Sequence, residues 1–372
     1  MKITPFELER YFARYEFSAR YLLSSSDCEA LSQAEVLELA DDELRELWQG
    51  LRLGYTESQG HPLLREAIAG LYPGLSPTEV RVAAPEEAIF LFMQALLEAG
   101  DHVVCTFPGY QSLFEIARML GCEVSLWEPH EAQGWRFDLQ DLARLLRPDT
   151  RLVVVNFPHN PTGYLPPLAD FQALLDLVGQ RGIYLLSDEM YQFLPIEEGT
   201  ILPAACGLYE RAVSLSGLSK SFGLPGLRIG WLASHDQALL ERVSLFKDYT
   251  TICNSAPSEL LAISALRARE VILSGQLKRV RHNLALLDRF FAEFHGLFNW
   301  QRPGGGSIGF PRLLTEADTY VFCEQLVTET GIMLLPSRPF GYGDHHVRVG
   351  FGRQNMPEVL ERFAGYLRAK FG

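Results

Sequence analysis

The sequence predicts an α/β protein in which a mainly parallel, seven-stranded sheet is joined to a smaller α+β domain. From about residue 60 to residue 233, short apolar runs alternate with segments of helical period. The apolar runs are almost continuous in Val, Leu and Ile, which is typical of parallel strands covered on both faces. At 372 residues the chain is also longer than one ordinary core supports, which favours two domains.

Each element follows from these patterns in chain order. Residues 5–22 are predicted to form an amphipathic helix with an aromatic-rich extension, and residues 33–49 a second helix. The predicted strands are 80–84, 102–107, 123–127, 151–157, 183–188, 212–216 and 228–233. The predicted helices beside them are 62–71, 86–98, 111–120 and 167–181. The pattern then changes to long helices over 257–296, short strands and a final helix over 356–370.

This change of pattern predicts where the domains divide. A large domain is expected over residues 41–255, where strands and helices alternate. The small domain is expected to combine the N-terminal segment 1–40 with the C-terminal part 256–372.

The charge and the cysteines narrow the function classes. A net charge of −13 argues against a nucleic-acid partner, and no apolar run is long enough to span a membrane. The six cysteines are scattered, without a Cys-x-x-Cys pair, so we expect neither a disulfide framework nor a zinc site. Together with an N-terminus that lacks a signal-peptide pattern, this predicts a cytoplasmic protein.

One lysine stands just after the predicted strand 212–216. Lys220 lies between two serines and precedes a Gly/Pro-rich turn. The chain is poor in lysine, which occurs only at positions 2, 220, 247, 278 and 370. A lone lysine at a strand end is poorly placed for a solvated charge, but it suits a desolvated amine that attacks a carbonyl group.

Three other predicted strands also lead into unusual polar residues. Strand 151–157 leads to Asn160, strand 183–188 ends in Asp188 and is followed by Tyr191, and strand 102–107 is followed by Tyr110. Each has an ordinary explanation as a turn, a helix N-cap or a packing aromatic. Because ligands bind beyond the carboxyl ends of the strands in open α/β sheets, the four strand ends together indicate a site.

These motifs resemble those of the class I/II aminotransferase family, whose members are fold-type I pyridoxal-phosphate enzymes. The resemblance extends from Tyr55 to Phe351, and several spaced motifs carry it together. It implies that the large domain has the fold-type I architecture. It also implies that the cofactor is pyridoxal 5'-phosphate.

The resemblance assigns roles around the cofactor ring. Lys220 matches the lysine that holds the cofactor covalently and moves the substrate proton. Asp188 matches the carboxylate that faces the ring nitrogen and keeps it protonated. Tyr191 and Asn160 match the groups that bind the phenolic oxygen, and Tyr110 matches the aromatic that stacks on the ring.

Further matches concern the phosphate and the substrate. Ser219 and Arg228 match phosphate ligands. Tyr55 matches a tyrosine that reaches the phosphate of a neighbouring subunit, which implies a homodimer with shared sites. Arg348 matches the arginine that grips the substrate α-carboxylate with a bidentate fork, beside Asn160.

The chain departs from the family pattern at several positions. Gly217 stands where a Ser or Thr is usual, and Ser337 stands where a glycine is usual. The phosphate-binding turn reads Ala-Pro-Glu-Glu over 84–87. Because a carboxylate repels a phosphate, we expect the Glu86 side chain to point elsewhere and its backbone N–H to face the phosphate.

Four carboxylates are predicted to approach the pocket mouth: Asp27, Glu29, Glu57 and Glu86. A basic substrate side chain such as a guanidinium would suit them. In an acidic protein, the same residues are equally well explained as solvated surface charges.

A second resemblance bears on the substrate. The segment 152–163, the pair at 248–249 and the pair at 350–351 are similar to capreomycidine synthase-like enzymes. Those enzymes cyclise hydroxylated arginine on the same cofactor.

The sequence therefore predicts an aminotransferase that moves an amino group between an L-amino acid and a 2-oxo acid. The first alternative is a cyclase or lyase that acts on an arginine-derived amino acid. A non-catalytic, cofactor-binding regulatory module is a further alternative. It is disfavoured because the sequence has no basic DNA-binding segment and retains all the polar residues that the resemblance assigns to the site.

Overall fold

The structure is a computed structural model that describes residues 3–372. The helices are α1 (Glu7–Tyr15), α2 (Gln33–Glu38), α3 (Asp42–Gln49), α4 (Pro62–Ala69), α5 (Pro85–Leu96), α6 (Ser112–Met119), α7 (Leu139–Leu145), α8 (Leu168–Gly179), α9 (Gln237–Lys247), α10 (Ala256–Arg267), α11 (Arg269–Glu293), α12 (Thr319–Thr330) and α13 (Met356–Phe371). The strands are β1 (Tyr21–Leu22), β2 (Val80–Ala83), β3 (His102–Thr106), β4 (Glu123–Trp127), β5 (Thr150–Asn156), β6 (Tyr184–Asp188), β7 (Ala212–Gly217), β8 (Gly230–Ala233), β9 (Phe298–Asn299), β10 (Ile308–Gly309), β11 (Arg312–Leu313), β12 (Ile332–Met333), β13 (Leu335–Pro336) and β14 (Val347–Gly350).

A seven-stranded sheet forms the centre of the molecule. Its strand order is β2-β8-β7-β6-β5-β3-β4. The strands from β7 to β4 pair in parallel, whereas β8 runs antiparallel to both of its neighbours, β2 and β7. The predicted α/β fold with a mainly parallel, seven-stranded sheet is therefore confirmed.

The central strands are apolar throughout because helices cover both faces of the sheet. Along β5, Leu152 and Val154 pack in the cluster that contains α5, α6 and α9. Val153 and Val155 pack in the cluster on the opposite face, with α7 and α8. Since successive strand residues point to opposite faces, two apolar layers require an uninterrupted apolar strand.

The N-terminal segment and the C-terminal part share a hydrophobic core. The cluster joins Leu8 and Tyr11 of α1 to residues of α11, α12, α13 and the short strands β9–β14. β1 pairs in parallel with β12, which ties the two ends of the chain together. Val36 of α2, by contrast, packs with α4 and α10 in another cluster. The division into 41–255 and 1–40 with 256–372 stays a prediction.

Several element boundaries differ from the predictions. The long helices expected over 257–296 are two, α10 and α11, which separate at Ala268, and the second ends at Glu293. The helix expected over 33–49 is also two, because the Asp41 side chain accepts a hydrogen bond from the Leu44 N–H (2.9 Å) and caps α3. The strand expected from residue 228 begins at Gly230, because Arg228 adopts a left-handed conformation with φ 55°. The sequence pattern did not predict α7, α9 or α12.

Within residues 3–372, no helix is both long and apolar enough to cross a lipid bilayer. All six cysteines are free thiols, and all but Cys253 are buried.

Candidate active site

A cavity of about 340 Å³ lies at the carboxyl ends of β5, β6 and β7. The sheet register places Asn156 beside Asp188 and Asp188 beside Leu215, so the polar strand ends lie next to one another. Helix α1, the loop after β1 and strand β14 contribute the remaining walls. The residues predicted for the site that line this cavity are Glu86, Tyr110, Asn160, Asp188, Tyr191, Ser219, Lys220, Arg228 and Arg348.

Lys220 and Asp188 are the two ionisable groups at the base of the cavity. The Lys220 amine donates a hydrogen bond to the Ser26 hydroxyl (2.9 Å). Burial lowers the pKa of Lys220, against the attraction of the Asp27 carboxylate. Burial also raises the pKa of Asp188 to about 6, although the Met190 N–H donates to its carboxylate (3.1 Å). The amine is therefore closer to its neutral form, and the carboxylate would be stabilised by a cation.

Asn160 and Arg348 are held in place by a chain of hydrogen bonds from the strand ends. The Asn156 amide donates to the Asp188 carbonyl oxygen (3.1 Å), and its own oxygen accepts from the Asn160 N–H (2.7 Å). Arg348 donates to the Asn160 side-chain oxygen (3.2 Å) and to the Ser24 carbonyl oxygen (2.8 Å from Nη2). A buried guanidinium whose hydrogen-bond acceptors are neutral is poised to bind an anion.

Two hydroxyl groups in the cavity wall have no hydrogen-bond partner among residues 3–372. They belong to Tyr191 and Ser219, which are 2% and 5% exposed. Buried polar atoms in proteins are nearly always hydrogen-bonded. Both hydroxyls therefore require a polar ligand, water or group inside the cavity.

Tyr110 and Arg228 lie on the cavity wall at its outer side. The Tyr110 ring packs against Phe6 with a centroid separation of 5.0 Å, and its hydroxyl donates to Glu9 (3.3 Å). Arg228 follows a 3-10 turn, and its left-handed backbone is uncommon for a residue with a side chain. Strained backbone conformations of this kind are concentrated at ligand sites, because contacts with the ligand offset their energetic cost.

Glu86 is one of the residues that line the cavity, and the direction expected for its side chain stays a prediction. It lies in the first turn of α5 and lines the cavity as well as a neighbouring apolar groove. Burial raises the pKa of its carboxyl group to about 7, and the Glu9 and Asp188 carboxylates contribute to the rise.

Tyr55 is the one predicted site residue that the chain does not bring to the cavity. Its side chain is 90% exposed, and it does not line the cavity. Of the four carboxylates expected at the pocket mouth, Asp27 and Glu86 line the cavity, whereas Glu29 and Glu57 do not. Glu29 instead accepts a hydrogen bond from the Gln354 N–H (2.8 Å).

Sequence reasoning missed six polar residues of the cavity wall: Glu9, Glu16, Ser25, Ser26, Asn156 and Arg353. Asn156 could have been found, because it ends a buried strand beside Asp188. Glu9 and Glu16 could not be placed, because the position of α1 depends on contacts far along the chain. The Tyr11 hydroxyl, for example, donates to the Leu334 carbonyl oxygen (3.1 Å).

Comparison with known proteins decides the family. A family model described as aminotransferase class I and II matches residues 21–364. The chain belongs to this family. Among curated relatives, capreomycidine synthase of Streptomyces vinaceus is 33% identical over 92% of this chain and 88% of that protein. The arginine–pyruvate transaminase of Pseudomonas aeruginosa is 27% identical over the same shares, 92% and 88%.

Two solved structures show how far the similarity of this class I/II family member extends. A PLP-dependent aminotransferase from Streptococcus suis superposes with a TM-score of 0.93 at 31% identity, over 99% of both chains. The PLP-dependent cyclase OrfR superposes with a TM-score of 0.91 at 30% identity, over 100% of this chain and 98% of that one. The fold is thus that of fold-type I pyridoxal-phosphate enzymes, and the chain is an enzyme.

The cavity fits pyridoxal 5'-phosphate, the cofactor of this family. The cofactor's aldehyde requires an amine, which Lys220 offers. Its ring nitrogen requires an anion, and Asp188 is the buried carboxylate. Its oxygen atoms require donors, and the unpartnered hydroxyls of Tyr191 and Ser219 lie in the same wall.

Proposed function

We propose that this enzyme transfers an amino group between an L-amino acid and a 2-oxo acid. The observation that carries the proposal is a half-buried amine of lowered pKa, Lys220, in one cavity with the buried guanidinium of Arg348 and the buried carboxyl of Asp188. The Lys220 amine suits covalent chemistry on a carbonyl, and the Arg348 guanidinium binds a carboxylate. The Asp188 carboxylate stabilises a cationic ring.

The roles of these residues in the reaction follow from their chemistry. Pyridoxal 5'-phosphate, when bound, supplies an aldehyde that captures amines and a ring that accepts electrons from the substrate Cα. Arg348 holds the substrate α-carboxylate with its planar fork and orients the Cα–H bond. The Lys220 amine, kept closer to neutral by burial, accepts the proton from Cα and returns it to the product.

Other residues of the cavity would hold the cofactor. Asp188 would face the ring nitrogen, and its pKa of about 6 would fall beside that cation. Tyr191 and Asn160 would bind the ring oxygen, and Tyr110 would stack on the ring face. The phosphate would be bound by Ser219, Arg228 and the Glu86 backbone N–H. That N–H lies at the start of α5, where a helix N-terminus favours an anion.

A half-reaction across a panel of amino-acid donors tests this function. The protein loaded with pyridoxal 5'-phosphate is mixed with each donor, and mass spectrometry follows the oxo acid and the aminated cofactor. Release of both in equal amounts, lost in Lys220→Ala, is expected. If no donor yields an oxo acid, transamination is not the function.

The second candidate is a cyclase or lyase that acts on an arginine-derived amino acid. The similarity to capreomycidine synthase and to the cyclase OrfR favours it. The same Cα deprotonation by Lys220 then leads to loss of a leaving group from the side chain and to ring closure. A hydroxylated arginine that gives a cyclic product, without oxo acid, would favour this candidate over transamination.

We further propose that the enzyme is a homodimer with shared sites. Leu53, Tyr55 and Tyr249 are each at least 84% exposed. Their two segments lie against each other, since the Thr56 hydroxyl contacts the Asn254 carbonyl oxygen (3.4 Å). Large exposed apolar side chains on adjoining loops are typical of an interface, and Tyr55 would reach the phosphate in the partner's cavity. A cytoplasmic location remains a prediction from the sequence.

A further inference from the structure

Helix α1 forms a wall of the cavity beside Arg348. Phe12 of this helix packs on Arg348, whose guanidinium carbon is 5.7 Å from the ring centroid. Glu9 lies three residues before Phe12 and Glu16 four residues after it, so all three occupy the same helix face. Glu9, Phe12 and Glu16 all line the cavity.

The position of α1 is fixed from two sides. Gln111 accepts a hydrogen bond from the Glu7 N–H (3.0 Å) and donates one to the Pro5 carbonyl oxygen (2.8 Å). On the other side, Tyr15 and Arg14 both donate to Glu324 (2.7 Å each). Glu9 and Glu16 therefore belong to a segment that hydrogen bonds hold in place on both sides.

The negative charge on this wall is only partly compensated. Burial raises the pKa of Glu16, and the Asp27 and Glu9 carboxylates raise it further, while the Arg353 and Lys220 cations act in the opposite direction. Glu9 likewise contributes to the raised pKa of Glu86. Asp27 has an ion-pair partner in Arg353 (2.9 Å), whereas the hydrogen-bond donor to Glu9 is the neutral hydroxyl of Tyr110. A cation placed against α1 would relieve the repulsion between Glu9 and its neighbours.

We propose that Glu9 and Glu16 select a substrate whose side chain carries a guanidinium group. The inference rests on the proposed function, because it takes Arg348 as the site of the substrate α-carboxylate. A guanidinium presents five donors in one plane, so it can bind two carboxylates at once. A neutral side chain would leave the carboxylates unpaired, and an anionic one would add to their repulsion.

Calorimetric binding of two matched ligands tests the proposal. The protein loaded with pyridoxal 5'-phosphate is titrated with 5-guanidinopentanoate, which is arginine without its α-amino group, and with its neutral counterpart 5-ureidopentanoate. Neither ligand can enter the amino-transfer reaction, so the readout is binding alone. We expect the guanidino acid to bind about tenfold more tightly or better, the size of one charge-assisted hydrogen bond.

Variants of α1 in which a carboxylate is replaced by a neutral amide test whether Glu9 and Glu16 cause the preference for the guanidino acid. Glu9→Gln and Glu16→Gln should each weaken it, and the double variant should reduce it to within about twofold. Glu7→Gln removes the same charge from an exposed position of the same helix and should keep the preference. Because the wild-type ligand pair is informative by itself, a variant that fails to fold does not remove the test.

The outcomes separate this proposal from the proposed function. Equal binding of the two ligands by the wild-type protein, binding of neither, or a preference that survives the double variant would each overturn the guanidinium proposal. Oxo-acid production from neutral donors would then leave the amino-transfer function standing. Conversely, a guanidino preference that depends on Glu9 and Glu16 in a protein without amino transfer would retain this proposal and remove that function.

Discussion

At the scale of single residues, Arg348 shows most clearly what the cavity binds. Its side chain is 1% exposed, yet the acceptors of its hydrogen bonds are Ser24 and Asn160, which are uncharged. Burial lowers the pKa of its guanidinium. Leaving a cation buried without a carboxylate is costly, so a substrate carboxylate that enters the cavity stabilises a group already in place.

Arg348→Lys keeps the charge and removes the planar fork. We expect kcat/KM for the amino acid to fall about 10- to 100-fold, mainly because KM rises. A fall of this size corresponds to the loss of one charge-assisted hydrogen bond. Steady-state kinetics measure this, and the visible absorbance of the bound cofactor serves as the control, since it should not change. An unaltered KM would show that the substrate carboxylate binds elsewhere.

Glu189 is a second buried carboxyl group, and it lies outside the cavity. One oxygen accepts hydrogen bonds from the Ala205 N–H and the Ser214 hydroxyl, while the other has no partner among residues 3–372. Burial raises its pKa from 4.5 to about 7. The folded protein therefore holds this proton over a range in which the unfolded chain has released it. Its contribution to stability is full at low pH and falls as the pH rises towards 7.

Glu189→Gln should remove this pH dependence. The variant is expected to match the wild type at pH 4 and to exceed its free energy of unfolding by about 1–3 kcal/mol at pH 8. Urea denaturation at both pH values measures the difference. Glu210→Gln, an equal charge change at an exposed position, should show no such trend. A variant that is less stable than the wild type at pH 8 would contradict the assignment.

The strand-end residues were predictable because the signals that place them are local. Asn160, Asp188 and Lys220 each follow a short apolar run, and parallel pairing brings such ends to one edge. The raised pKa of Glu86 was not predictable, because Glu9, one of the carboxylates that raise it, belongs to α1, which is distant in sequence.

At the scale of elements, the close approach of β7 and β8 explains an unusual residue near the site. A Cβ on Gly217 would lie 3.0 Å from the Gly230 Cα and 3.1 Å from the Ile229 carbonyl oxygen. A side chain at this position, where the resemblance leads one to expect a hydroxyl, would therefore require the backbone of β8 to shift. Ser219, with its unpartnered hydroxyl in the cavity wall, is available in its place.

Gly230→Ala tests this packing. Its Cβ would lie 2.8 Å from the Pro85 side chain and 2.9 Å from the Ser216 carbonyl oxygen, so the start of α5 or strand β7 has to move. We expect a loss of about 1–3 kcal/mol in the free energy of unfolding, measured by chemical denaturation. Gly275→Ala, in open space on α11, should be neutral or stabilising by up to about 1 kcal/mol. Equal effects of the two substitutions would contradict the crowding.

Element types followed from sequence wherever the periodicity was strong. The β5 run was recognised because it is apolar at every central position, and α8 because its period is helical. The antiparallel direction of β8 was not predicted, because a strand of four residues has the same pattern in either direction. The break at Ala268 was missed as well, since no Gly or Pro marks it.

At the scale of the whole molecule, the exposed apolar loops around Tyr55 predict self-association. Light scattering after gel filtration should give twice the chain mass of 41.9 kDa. A double substitution, Leu53→Glu with Tyr249→Glu, should give the single-chain mass, because two charges oppose burial at the interface. Val271→Glu, on an exposed apolar position of α11, should stay dimeric. A monomeric wild-type protein would rule out shared sites.

The central claim is that Lys220 is the amine that holds the cofactor, and borohydride trapping tests it most directly. Reduction of the loaded protein fixes the carbon–nitrogen linkage, and peptide mass spectrometry then locates the added pyridoxyl phosphate. The account predicts one modified site, Lys220, and no stable label in Lys220→Ala. A label on another lysine, such as the buried Lys247, or no label at all would contradict it.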